Sequence, residues 1–455
     1  MPFTRRASIE SNYKIQIHLY DYRPSKPENF IIHLSAYEET IVLFKKAFDI
    51  LKTFPESPER DQHELSIHMA LAAASQTIKG FGTSEVVSYC SRIEELCKEI
   101  GDAPQIFDSL YFLTNFNWLR ANHKIAFNFT SQMMRNALKA NDLEKVALTH
   151  HLQGTLYFSL GNLPSSIEHL KEMNSFYNLE KNSNLKYIYG MDPGLTSGFT
   201  TACVLWCLGY PDKALTQSKK MLVAAYQVDH SFSLAASLAL NSLFHLLRRD
   251  IPELELRGKE VYDLSEKKGF QFFMAVGIFK IGFALVHKGH VQEGINKLHQ
   301  AFELYKAAGV RFTLTDLLGS LAEAYGRLGD VEKGMDYMEQ AIAEVQRGGE
   351  QYYEAELYRL KGELLLLKAD SSDSRELEKE AENCFQQSIL VAQKQMAKSF
   401  ELRTSLSLSR LWLKQNKKKE TKQLLTRIYK QFTEGFETQE LKEAKAFLEQ
   451  LKLGK

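Results

Sequence analysis

The stretch Phe279-Lys-Ile-Gly-Phe-Ala-Leu-Val-His-Lys-Gly-His-Val-Gln-Glu-Gly-Ile-Asn-Lys-Leu-His-Gln-Ala301 decides how the rest of the chain reads. A second stretch, Leu318-Gly-Ser-Leu-Ala-Glu-Ala-Tyr-Gly-Arg-Leu-Gly-Asp-Val-Glu-Lys-Gly-Met-Asp-Tyr-Met-Glu-Gln-Ala341, aligns with it without a gap. Gly282, Gly289 and Gly294 fall over Ala322, Gly329 and Gly334. Apolar residues recur at helical spacing on both sides of Gly289 and Gly329, where a glycine adopts the left-handed conformation that ends a helix. Small residues inside each first helix and at the start of each second helix let two antiparallel helices approach closely. Each stretch is therefore a helical hairpin, and the repeat between them is the first evidence for an array.

Propagating the register places the small-residue slot at Ala73, Asn115, Gly154, Ala202, Leu243, Gly282, Ala322, Gly362 and Ser409. That predicts about nine hairpins at intervals of roughly 40 residues. Supporting turns are Leu160-Gly-Asn, Leu208-Gly-Tyr-Pro and Arg249-Asp-Ile-Pro. Leu321-Ala-Glu-Ala-Tyr325 and the run Gly334 to Ala341 come nearest to the tetratricopeptide pattern. The expected fold is an all-α, right-handed superhelical solenoid of TPR-like hairpins over residues 37–455, each helix about one turn longer than in the standard repeat. Two irregularities are expected. The polar segment Lys368-Ala-Asp-Ser-Ser-Asp-Ser-Arg-Glu376 should loop out, and Tyr189 to Gly194 should form a structured loop between repeats. Residues 1–36 read as an irregular or strand-like segment, since Tyr13 to Tyr22 alternate with period two. The helix that follows is the second half of an unfinished hairpin, a place for contact with another chain or for oligomer formation.

Composition narrows the function. The chain has 455 residues, 57 Lys and Arg against 56 Asp and Glu, and a net charge of +1. Such a balance provides no field to gather nucleic acid or an acidic membrane surface, so neither is an expected partner. The five cysteines do not make a disulfide framework. No signal peptide and no apolar run of membrane-spanning length is evident, so the cytoplasm, or a compartment reached without a cleaved Sec signal, is the default.

Catalytic signals are absent at recognisable spacing. Gly289-His-Val-Gln-Glu-Gly294 has phosphate-loop glycines but continues Ile-Asn, without the lysine that holds phosphate. His63 and His68 are five apart, too far round a helix to share a zinc. Cys203 and Cys207 share a face but have no partner pair, so packing is their expected role. No cofactor, no metal and no enzymatic activity are expected. The first helix of each hairpin should instead line a concave groove carrying Phe112, Phe116, His151, Phe199, Asn241, Phe244, Lys280, Phe283, Glu323, Arg359 and Glu363. That set is apolar toward the N-terminus and charged toward the C-terminus, suited to a protein or peptide partner with hydrophobic anchors and a polar end.

Four blocks carry a family resemblance: Leu51-Lys-Thr-Phe-Pro-Glu-Ser-Pro-Glu-Arg60, Tyr189-Gly-Met-Asp-Pro-Gly194, Tyr353-Glu-Ala-Glu-Leu-Tyr-Arg-Leu-Lys-Gly-Glu-Leu-Leu365 and Phe432-Thr-Glu-Gly-Phe-Glu-Thr438. In this order they resemble the C-terminal repeat region of bacterial class III adenylate/guanylate cyclases, which place a cyclase domain and an AAA-type ATPase ahead of a helical tail. The resemblance implies a regulatory or interaction module. The 36 residues ahead of the match hold neither catalytic domain, so no catalytic residue carries over. What it implies is a stand-alone adaptor, with a detached regulatory subunit of a cyclase or signalling ATPase as the alternative, and a secreted effector as a weaker one.

Overall fold

A computed structural model describes residues 34–101, 106–178, 181–182, 184–372 and 374–453. These form 21 helices and no strand among the described residues. The strand-like reading of residues 13–22 lies outside them.

Nine hairpins follow in chain order, each an inner helix and an outer one. The helix α1 (Leu34–Leu51) precedes them. The first three hairpins are α2 (Pro58–Lys79) with α3 (Ser84–Ile100), α4 (Phe107–Leu119) with α5 (His123–Lys139), and α6 (Leu143–Ser159) with α7 (Leu163–Phe176). After a short helix α8 (Leu185–Tyr189) come α9 (Pro193–Cys207) with α10 (Pro211–Gln227), α11 (Ser231–Arg248) with α12 (Ile251–Lys268), and α13 (Gln271–His287) with α14 (Val291–Ala308). The last three are α15 (Leu314–Leu328) with α16 (Val331–Gln346), α17 (Glu354–Ser372) with α18 (Arg375–Gln395), and α19 (Lys398–Lys414) with α20 (Lys418–Tyr429). A single helix α21 (Gln439–Leu453) closes the array. Every small-residue slot read from the sequence falls in an inner helix.

The two layers differ because their sequences do. Inner helices are buried around more of their circumference, and α9 buries every residue but Leu205. Outer helices bury one stripe: α14 buries Gly294, Ile295, Leu298, Ala301, Tyr305 and Ala308, the spacing of a single face. The hairpins pack as tightly as the small slots require. A Cβ on Gly294 would stand 2.7 Å from the carbonyl oxygen of Gly282. One connected apolar core runs from Leu65 to Phe400.

Two local expectations meet different outcomes. Tyr189 to Gly194 is a structured connection: Tyr189 donates to Asp108 Oδ1 (2.7 Å), and Asp192 caps α9 through the amides of Gly194 and Leu195. The polar segment Lys368–Glu376 does not loop out. It continues α17 as far as Ser372, and Ser374 then caps α18 through the Leu377 amide. Ala369 is buried under this extension, so the added turn gains packing that a loop would forgo.

Candidate functional site

The solenoid winds so tightly that successive turns touch. About five hairpins complete a turn, and the end of each inner helix in the first turn meets the start of an inner helix in the second. Four aromatic pairs mark these meetings as rungs. Phe81 meets Phe272 (ring centroids 5.9 Å apart), Trp118 meets Phe312 (4.5 Å), Phe158 stacks on Tyr352 (4.5 Å, 22°) and Trp206 meets Phe400 edge-on (5.2 Å).

Backbone bonds reinforce each rung. The Gly82 amide donates to the Ala308 carbonyl (2.7 Å), those of Arg311 and Phe312 to Leu119, and those of Gln351 and Tyr352 to Ser159. The Ser399 hydroxyl donates to the Trp206 carbonyl across 193 residues. The Leu119 and Ser159 carbonyls lie at inner-helix ends, where an isolated hairpin leaves them without a partner, and the Ala308 carbonyl ends the outer helix α14. At the first rung a Cβ on Gly82 would lie 2.4 Å from the Gly309 Cα, so only glycine permits the approach.

Between the second and third rungs sits a sealed group of ionisable side chains. Lys280 is 1% exposed; its Nζ has no hydrogen-bond partner and lies 3.8 Å from the centre of the Phe279 ring. Asp316 accepts from the Tyr352 hydroxyl (2.6 Å), and Glu350 Oε2 accepts from the Thr313 amide (2.5 Å) while Oε1 has no partner. Thr313 is held at φ 59, a conformation that costs a β-branched residue strain. Burial pushes the Lys280 ammonium down to about 8 and the Asp316 carboxyl up to about 6. Burial, with Asp316 nearby, raises Glu350 well above the usual carboxylate range.

Further along the seam, arginines from three hairpins converge on one carboxylate. Glu356, fully buried, contacts Arg249 (3.0 Å), Arg359 (2.8 Å) and Arg403 (3.6 Å). Arg249 also pairs with Glu323 (2.9 Å), Arg359 with Glu363 (3.2 Å) and Arg403 with Glu440 (2.7 Å). Burial pushes Glu356 up, but the three guanidiniums outweigh it and hold the carboxyl down at about 2. Arg403 also donates to the Leu247 carbonyl, tying α19 to α11 across the turn.

The eleven residues expected along an open groove all lie on inner helices, but in this closed winding most are core. Phe116, Phe199, Phe244 and Phe283 are buried. His151 is buried with Nε2 3.2 Å from the Thr196 hydroxyl, and burial brings it down to about 4. Asn241 donates to Ser218. Lys280 belongs to the sealed group, and Glu323, Arg359 and Glu363 to the arginine network. Phe112, Glu323 and Glu363 are half-buried, Glu363 with 37% of its side chain open. The reading omitted the rung aromatics. Trp118, Phe158 and Trp206 each stand three residues before the left-handed turn residues Ala121, Gly161 and Gly209, a pattern visible in the sequence. Leu246, Val286 and Gly326 hold that place in later hairpins, so the rungs belong to the first turn alone.

Cys203 and Cys207 are buried as packing residues. Among the described residues no cluster of three or more His, Cys, Asp or Glu is placed to hold a metal, and no helix is long and apolar enough to cross a membrane.

No protein-family model matches the chain. An uncharacterised protein of Rhizobium meliloti is 21% identical over 237 residues, which are 52% of this chain and 23% of that protein, so the match spans about a quarter of the relative. Among solved structures, a Rap protein complexed with Competence and Sporulation Factor superposes with a TM-score of 0.57 at 13% identity, covering 86% of this chain and 98% of that one. The human IFIT1 dimer with PPP-AAAA gives 0.46 at 14% identity over 94% and 91%. This chain is a TPR-like helical repeat solenoid, in agreement with the fold of the Rap protein.

Proposed function

We propose that the chain is a non-enzymatic interaction module of the tetratricopeptide type, binding a protein or peptide partner through its inner face and regulating another component. The observation that supports this most is the arginine and glutamate network at the seam. A permanent core is normally apolar, whereas joints that separate are polar. Here α11, α15, α17 and α19 place ionised groups where an opened solenoid would present them to a ligand. The Rap protein of the same fold was solved with a bound factor, which agrees with such a role.

Photo-crosslinkers placed at Glu363, on the seam, and at Lys259, on the outer face, test this in cells. Partner adducts from Glu363 support the reading. Adducts from Lys259 alone refute inner-face binding.

A second reading is the detached regulatory subunit of a nucleotide cyclase or signalling ATPase. Co-purification with and without residues 1–36 distinguishes the two. A partner lost with the truncation favours the subunit docked through the N-terminal end, and one retained by both favours the free adaptor.

A further inference from the structure

We propose that the two superhelical turns are joined by a proton-sensitive latch: Glu350, sealed with Asp316 and Lys280 between the second and third rungs, must carry a proton for the turns to close, and raising the pH through neutrality opens the seam. This goes beyond the binding reading and is tested without a partner.

The argument begins with charge balance. Two carboxyls and one ammonium are fully buried together, and an unneutralised charge is strongly disfavoured away from water. One carboxyl must therefore be neutral when the seam is closed. Asp316 has the Tyr352 and Thr315 hydroxyls as donors, which suit a carboxylate. Glu350 has a single amide donor and one oxygen without a partner, so the proton belongs there. The other groups facing the site do not supply the missing charge. Cys203 on α9 and Tyr305 on α14 are held neutral by burial, Glu344 on α16 is paired with Arg311, and burial keeps His123 on α5 down at about 4.

Position couples the site to the seam. Thr313, which donates to Glu350, directly follows the two residues that donate to Leu119 at the second rung. Glu350 directly precedes the two that donate to Ser159 at the third. An ionised Glu350 seeking water therefore pulls on both rungs, and the strained backbone at Thr313 relaxes when they part.

The sign follows from the protons bound in each state. Glu350 is raised when closed, so closure takes up a proton and weakens as pH rises. Between about 6 and about 8, Asp316 is ionised and Lys280 charged whether the seam is open or closed. Glu350 then sets the slope, and the closed-to-open ratio falls as pH rises, by at most about tenfold per pH unit for one proton. Above about 8, Lys280 sheds its proton in the closed state and opposes further opening, so the change levels off.

Two of the chain's three tryptophans, Trp118 and Trp206, stand on rungs and report the seam directly. In a Trp412→Phe background, raising the pH from about 6 to about 8 is expected to red-shift the emission and enlarge the radius of gyration, with far-UV circular dichroism unchanged. Glu350→Gln, neutral at every pH, keeps the low-pH emission throughout. Lys280→Met removes the one ammonium that offsets the two buried acids, so closure takes up two protons and the transition starts at lower pH and steepens toward about a hundredfold per unit. No spectral change in the parent, an unaltered transition in Glu350→Gln, or a parallel loss of helix overturns the proposal.

Discussion

Replacing Phe312 by alanine removes one ring from the second rung and leaves its backbone bonds in place. Phe312 is 8% exposed and its ring centre lies 4.5 Å from that of Trp118. Truncating a buried phenylalanine costs about 3 to 5 kcal/mol. A loop-borne ring belongs at the lower end, about 3 kcal/mol, of which about 1 is the ring-to-ring interaction. That loss raises the population of the opened rung roughly a hundredfold. Hydrogen exchange read by mass spectrometry follows it at the amides of Arg311 and Phe312, both bonded to the Leu119 carbonyl. If the turns part as one body, the Gln351 and Tyr352 amides at the third rung accelerate by a similar factor, while α12 keeps its protection. Pairing the change with Trp118→Leu in a double-mutant cycle isolates the interaction across the seam, expected at about 0.5 to 1.5 kcal/mol. Zero coupling, or acceleration confined to residues 309–314, refutes a ladder that holds two turns together.

Other expectations follow from single contacts. Gly82→Val drives a side chain into the Gly309 backbone and should part the first rung, quickening proteolysis near residue 309 without loss of helix; unchanged protection there counts against the close approach. Glu356→Gln leaves three arginines without their shared carboxylate and should cost about 3 to 5 kcal/mol in chemical unfolding. Because the carboxyl of Glu356 is held down at about 2, its contribution is complete above the ordinary carboxylate range and is lost as pH falls through about 2. Acid melts of the parent should therefore be steeper than those of Glu356→Gln. Gly435→Ala places a methyl group 1.9 Å from Pro211 Cγ at a residue with φ 78, and should detach the Phe432–Thr438 connection from α10, seen as faster exchange of the Gly435 amide now bonded to Asp212.

The groove expectation shows where one-dimensional reading stops. The register put Phe199, Phe244 and Phe283 on inner helices, and that is where they lie. Whether an inner helix faces water or another turn depends on the superhelical pitch, which is a small rotation summed over many hairpin interfaces. No local pattern carries that sum. The loop expected at Lys368–Glu376 erred for a related reason: polar composition suggested a break, but Ala369 found a burial site that sequence spacing does not reveal.

What the sequence alone determined is the set of short-range features: the hairpin, its left-handed turn residues, the nine small-residue slots and the balanced charge. These depend on residues within about one repeat of each other, where backbone preference and helical spacing act directly. Tertiary structure decided the rest. It brought Trp118 to Phe312, Phe158 to Tyr352 and Trp206 to Phe400, buried Lys280 with two acids, and gathered three arginines around Glu356. The three aromatic pairs join positions five hairpins apart, and only the accumulated rotation of those hairpins brings them within reach.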